Sequence, residues 1–434
     1  MYAINEKLEE RAKAGRPVRV ALIGLGQMGT DIVATIERMP GMSLQVVVDI
    51  TEQNIRRSLA TAQFNRQVSI SATAKEAAAA AKNGALVATT DWKVAVGLPT
   101  VDVVIDSTGS PELGSIITLE CIANRKHIIM MNVECDVTVG PLLRRRAQEA
   151  GVIYSMGAGD EPAAIMELYR MAVAMGFSVV AAGKGKNNPL DLYATPATLA
   201  EKARVRNMSA NMLCEFVDGS KTAIEMAAVS NATGLIPDVR GMHGAKSTVA
   251  DLQKVFCLKQ DGGVLGRSGA VDFAIGVHPG VFVVVTTDSA RLRDSLVQRD
   301  MGPGPNYCLF RPFHLCSIEV PLSAAQTVLY GESSGHPMDR LASECIVVAK
   351  KDLAAGEKLD GIGGFCYRVS IDTYETARNE NLLPAGLAKG CVVRRAVTRD
   401  SVLTWDDVEI AGESTLLRLR REMESRTQPA MATA

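Results

Sequence analysis

Through the first 160 residues, apolar positions gather into short unbroken runs, and the stretches between them carry apolar residues at helical spacing. Val18–Ile23 is one such run, and Ile32, Val33 and Ile36 follow it on one helical stripe. "LQVVVDI", "VDVVIDS" from Val101, "KHIIMMN" up to Asn132 and "GVIYSMG" from Gly151 repeat the strand-like half of the pattern. Runs of this length without polar alternation predict strands buried on both faces of a parallel sheet. Strands that alternate with helices predict an open, doubly wound α/β sheet.

The pattern then changes. A helical stretch "AAIMELYRMAVAMG" leads to "FSVVAAGKGKNN", which reads as the first strand of a second part. The last hundred residues alternate short strands with Gly/Pro turns and carry no catalytic cluster. The predicted class is α/β in three parts: a Rossmann domain over 1–157, an α+β catalytic and dimerisation domain over 158–335, and a small β-rich domain over 336–434.

The first strand runs into Gly24-x-Gly26-x-x-Gly29 and then into a helix, with Gln27 and Met28 in its first turn. The glycines suit a tight turn, close approach of backbone to pyrophosphate, and close helix–strand contact. The free N–H groups and positive dipole end of that helix favour the phosphates. Asp49 stands twenty positions beyond Gly29, where an acid takes the ribose 2′-hydroxyl of NAD. Arg56 and Arg57 follow, able either to reach a 2′-phosphate or to lie on a solvated helix face, so these residues leave NAD and NADP both open. Ser107, Thr108 and Gly109 end the run from Val101, and Asn132 ends the next. Both sets belong beside the same dinucleotide.

The last of these strands passes into Gly157-Ala158-Gly159-Asp160-Glu161-Pro162. Asp160 and Glu161 suit an N-cap and a first-turn dipole partner; at a strand end of the sheet they equally suit a hard cation such as Mg²⁺ or Mn²⁺. Lys184 and Lys186 share one side of their strand by its period of two. With Asn187 and Asn188 they form a donor set for an oxyanion such as phosphate. Ser209 and Asn211 precede a helix, and Asp218, Lys221 and Glu225 are three and four positions apart, so one helical face can carry all three. That face is either an ion-pair ladder or a lysine held for proton transfer between acids. His314, beside Arg311, either lines a cleft or packs as a buried histidine.

Charge and cysteine content narrow the partners. A formal net charge of −1 gives no basic excess for nucleic acid or an anionic membrane. Nine scattered cysteines without a CxxC suggest neither a zinc knuckle nor a disulfide framework. With no signal-like start and no long apolar span, the expectation is a soluble, cytoplasmic protein.

Three stretches of the tail, "AKKDLAAGEKL", "LLPAGLAKGCVVRRAV" and "DSVLTWDDV", resemble the β-clip domain named SAF. "FVDGSKTAIEMAAVSNATG" resembles the Asp–Lys helix of the homoserine dehydrogenase superfamily, with a spacing one residue shorter, and "NVECD" stands where that family has Asn-Lys. The whole arrangement, through "GAGDEP", "GKGKNN", "DGSKTAIEM" and "LFRPFHL", is similar to the DXR-like reductoisomerases, a second type of 1-deoxy-D-xylulose 5-phosphate reductoisomerase. The resemblance implies NADPH, a divalent cation, a homodimer, and production of 2-C-methyl-D-erythritol 4-phosphate for isoprenoid synthesis. Under it Lys221, Asp218, Glu161 and Lys184 are the catalytic candidates. Lys186, Asn187, Asn188, Ser209, Asn211 and His314 hold a phosphorylated sugar, and Asp160 and Glu161 hold the cation. The alternative is a plain NAD(P)-dependent oxidoreductase acting on another small hydroxy or keto compound.

Overall fold

Seven strands pair side by side, all parallel, in the order β3-β4-β2-β1-β5-β6-β7. They are β1 (Val18–Ile23), β2 (Met42–Val48), β3 (Val68–Ile70), β4 (Leu86–Thr89), β5 (Val103–Asp106), β6 (His127–Met130) and β7 (Tyr154–Met156). A computed structural model describes residues 3–427, and they divide into two units. The first takes in the described residues of 1–163, 315–339 and 418–434; the second is 164–314 with 340–417.

In the first unit the sequence pattern explains the sheet. Val20, Leu22, Val47, Val103 and Ile105 are buried with Ile32, Val33 and Ile36 of the helix Gln27–Ile36. Each such side chain contributes about 1.5–3 kcal/mol on burial. Residues of the later helix Val320–Tyr330, among them Val320, Ala324 and Ala325, join the same core. The Gly24 loop leaves β1 toward β2, whereas β5 lies on the other side of β1. The carboxyl ends of β1 and β5 thus form the switch point at which open α/β sheets bind ligands. Two strands were not legible in the apolar runs. β3 is a short, mostly exposed edge strand, and β4 is a run of only four residues.

The second unit is built on a five-stranded mixed sheet, ordered β12-β11-β8-β10-β9. Its strands are β8 (Ser178–Lys186), β9 (Ile236–Pro237), β10 (Ala270–Ile275), β11 (Val281–Thr286) and β12 (Asn306–Arg311). β8 is central, parallel to β10 and antiparallel to β11. The helix Ser220–Thr233 is buried along almost its whole length. Part of its cover comes from the tail, whose strands β13 (Ser343–Ala349) and β14 (Tyr367–Thr373) pair antiparallel. Val369 N–H donates to Ser220 Oγ at 2.8 Å, and Asn231 Oδ1 accepts from Ala342 and Ser343 N–H at 2.8 and 3.0 Å. The β-rich tail is thereby fastened to the helix that bears Lys221. Among the described residues, no helix is long and apolar enough to cross a membrane.

Candidate functional site

The glycine loop after β1 is shaped by contacts that side chains would destroy. A Cβ on Gly24, whose φ is +99°, would lie 2.6 Å from the Ser107 carbonyl oxygen; one on Gly29 would lie 2.0 Å from the Gly24 carbonyl oxygen. Gly24 is therefore fixed by strand packing and Gly29 by helix–loop packing, whereas a Cβ on Gly26 would meet open space. Gly26 caps the helix Gln27–Ile36; it and Gln27 are exposed and Met28 is half-buried. Asp49 turns inward to this loop: its Oδ2 accepts from Leu25 N–H at 2.7 Å, and its Oδ1 from Ile50 N–H and the Asn54 amide, both at 2.8 Å. Arg56 is exposed and pairs with Glu52 one helical turn before it, as the solvated-face reading of the sequence allows.

Across the switch point, Ser107 Oγ donates to the carbonyls of Ile23 and Gly24, locking the end of β5 to the glycine loop. Thr108 N–H donates to Asp106 Oδ1 at 3.0 Å, and the Asn132 amide reaches Asp106 Oδ2, Thr108 Oγ1 and the Ser110 carbonyl. Asn132 also caps the helix Val133–Glu149. Burial pushes the Asp106 carboxyl above the usual range, against the pull of its Thr108 and Asn132 donors. Gly109 takes the left-handed conformation, φ +65°, in the turn that follows. Asp106 was missed in the sequence, although an acid closing a wholly apolar run was a visible signal. These residues form a cradle at the switch point that fits a dinucleotide.

In the second unit, "GKGK" is an alternation of two requirements. A Cβ on Gly183 would lie 2.2 Å from the Asp272 carbonyl oxygen, and one on Gly185 only 1.6 Å from that of Val277. One face of β8 is thus closed by neighbouring backbone, which leaves the other for Lys184 and Lys186. Both lysines are buried. Lys184 forms an ion pair with Glu225, itself buried. Lys186 Nζ donates to the Phe216 carbonyl at 2.7 Å. Burial, reinforced by the charge of Lys184 and opposed by Glu225 and Asp218, lowers its pKa to about 8.

The shared face of Asp218, Lys221 and Glu225 requires correction. Asp218 closes the helix Ala210–Val217, Gly219 breaks the chain at φ +89°, and a new helix starts at Ser220. Lys221 and Glu225 belong to that second helix; Asp218 does not. Asp218 is wholly buried, with Oδ2 2.6 Å from Lys350 Nζ and Oδ1 accepting from Ser220 N–H at 2.8 Å. Lys350 Nζ further donates to the carbonyls of Ala194 and Gly364 at 2.8 and 2.9 Å, and lies 3.3 Å from Cys214 Sγ. Asp218 is therefore a structural anchor for the tail. Lys350, its partner, had no local signal beyond a doubled lysine after an apolar strand.

The remaining candidates differ in burial. Asn187, Ser209 and Asn211 are exposed, and Asn188 is half-buried with Oδ1 taken by Arg206. Lys221 and His314 are half-buried. Asp160 and Glu161 are both buried at the start of the helix Glu161–Ala174, with carboxylate oxygens within 4.8 Å of each other.

Three family models match the chain: "Homoserine dehydrogenase, NAD binding domain" over 24–156, "Oxidoreductase DRL, catalytic domain" over 159–320, and "SAF domain" over 346–409. No curated protein matches it. Among solved structures, it is similar to scyllo-inositol dehydrogenase from Lactobacillus casei, at 9% identity and a TM-score of 0.42, covering 74% of this chain and 92% of that one. It is also similar to an NAD-binding oxidoreductase from Klebsiella pneumoniae, at 16% identity and a TM-score of 0.34, covering 69% and 67%. The first two family models describe oxidoreductase domains, and the chain is an NAD(P)-dependent oxidoreductase.

Proposed function

We propose that the protein moves a hydride between a nicotinamide cofactor and a carbinol or carbonyl carbon of a small phosphorylated hydroxy or keto compound. The observation that carries this reading is the pair of buried lysines at the carboxyl end of β8. A lysine buried without function is costly, because burial disfavours its charge. Here Glu225 compensates Lys184, whereas Lys186 rests on a carbonyl and keeps donors for an incoming anion.

Gly24, Gly26, Gly29, Ser107, Thr108 and Asn132 would hold the dinucleotide, which supplies the hydride when bound. Lys186 and Asn187 would hold the substrate phosphate; that grip orients carbons remote from it. Lys221, half-buried in the first turn of its helix, would carry the proton that accompanies hydride transfer.

A second reading follows the resemblance to the DXR-like reductoisomerases, reduction preceded by a carbon-skeleton rearrangement, and is compatible with the oxidoreductase catalytic-domain match over 159–320. In that reading Asp160 and Glu161 would hold Mg²⁺ or Mn²⁺, and their buried carboxylates are suitable hard donors. Such a cation polarises carbonyls. The carbon skeleton of the product separates the two readings.

Replacing Lys186 by methionine keeps the apolar stem and removes the charge. With a phosphorylated substrate the KM is expected to rise roughly 10- to 100-fold, the worth of one charge-assisted hydrogen bond, while kcat changes little. In the unaltered protein, affinity should fall as pH rises through about 8, where Lys186 loses its proton. That step should vanish in the variant. Equal KM values and equal pH profiles would reject the assignment.

A further inference from the structure

We infer that Lys186 is a carbonyl-capture site: its amine, when neutral, adds to a small aldehyde and holds it as an imine. The inference goes beyond the anion grip proposed above, which uses the same residue in its charged form.

Lys186 is a buried amine without a counter-ion. It is 5% exposed, and among the described residues the Phe216 carbonyl, at 2.7 Å, is the one polar partner of its Nζ. The other buried lysines of this unit differ: Lys184 pairs with Glu225, and Lys350 with Asp218. The two carboxylates that act on Lys186, Glu225 and Asp218, are therefore engaged by other ammonium groups. On β10 its register partner is the apolar Ile275. Lys184, two residues back on the same face, adds a like charge. A lysine that is desolvated and set beside another cation is held toward its neutral, nucleophilic form. Its pKa, lowered to about 8, agrees with that geometry. Lys186 is also the last residue of β8, and Asn187 after it is exposed, so the amine lies one residue from solvent.

The chemistry balances without a redox partner. The nitrogen attacks the carbonyl carbon, forming a C–N bond as the C=O π pair moves to oxygen. The C–O bond then breaks, a second C–N bond replaces it, and both amine protons leave with the oxygen as water. The Lys184 ammonium beside it can lend the proton that the departing oxygen needs and recover one from the nitrogen. An aldehyde is favoured over a ketone, because its carbonyl carbon brings a single substituent into a buried position.

Labelling of the unaltered full chain tests this. Glycolaldehyde is added with cyanoborohydride, which reduces an imine to a stable secondary amine, and the modified lysines are located by peptide mass spectrometry. Near the Lys186 pKa of about 8, Lys186 should label at least about tenfold faster than the exposed Lys246 and Lys259, because solvated ammonium groups stay almost wholly protonated there. Its rate should rise with pH and level off above a pH of about 8, where its proton is gone. Labelling of Lys186 no faster than that of the two exposed lysines would overturn the site. Inorganic phosphate should slow the label, since an anion gripped by Lys186 keeps it charged. Fast labelling that phosphate leaves unchanged would keep the capture site and remove the anion grip.

Discussion

Replacing Lys350 by methionine is expected to destabilise the second unit by about 3–5 kcal/mol, because it strands a buried carboxylate. Asp218 and Lys350 are both essentially inaccessible, and the ammonium also satisfies the carbonyls of Ala194 and Gly364. One substitution therefore unpairs a charge and two carbonyl acceptors. Burial already holds the Asp218 carboxyl above its usual range, with Lys350 the main opposing influence. Without the lysine the folded state prefers a protonated Asp218 still more strongly. A raised folded pKa gives stability that is present below the unfolded pKa and lost as pH rises through the folded one. The defect should therefore be small in acid and grow toward neutral pH. Urea denaturation of the full chain across pH reads this out, and Asp218→Leu combined with Lys350→Met should recover much of the loss. A single variant within about 1 kcal/mol of the parent at neutral pH would show that the pair contributes little.

Gly185→Ala is the second large effect. The new methyl carbon would lie 1.6 Å from the Val277 carbonyl oxygen, and the obstacle is backbone, which no rotamer change relieves. Overpacking of side chains costs about 1–3 kcal/mol, and a clash with backbone in a central strand should reach or exceed the top of that range. β8 would have to part from the loop after β10, displacing Lys184 and Lys186 together. The expected outcome is a chain recovered largely insoluble, or one whose folded fraction has lost phosphate-dependent activity. Gly97→Ala serves as the control, since its added carbon meets nothing. A Gly185→Ala protein with ordinary stability and kinetics would refute the closed-face explanation of the alternating glycines.

What the sequence revealed followed from the range of each signal. The glycine loop, β1 and Asp49 were legible because run length, glycine spacing and the following helix all lie within one short segment. The pairing of Lys184 with Lys186 was legible from the period of two, but their burial was not. Burial depends on the backbone of the loop after β10, which closes the opposite face. Asp218 lies outside the helix that its spacing to Lys221 and Glu225 predicts, because the chain breaks at Gly219, and an Asp-Gly pair is a turn signal. Lys350 was out of reach. Its partner lies far away along the chain, and only the packing of the tail on the helix Ser220–Thr233 brings the two together.

The most direct measurement mixes the full chain with NADH or NADPH and matched pairs of small hydroxy and keto compounds, phosphorylated and dephosphorylated, and follows nicotinamide absorbance. Cofactor turnover that depends on the phosphate, with KM climbing above pH of about 8, is the expected result. Equal turnover of the dephosphorylated partners, or none with any compound while cofactor binds, would contradict it.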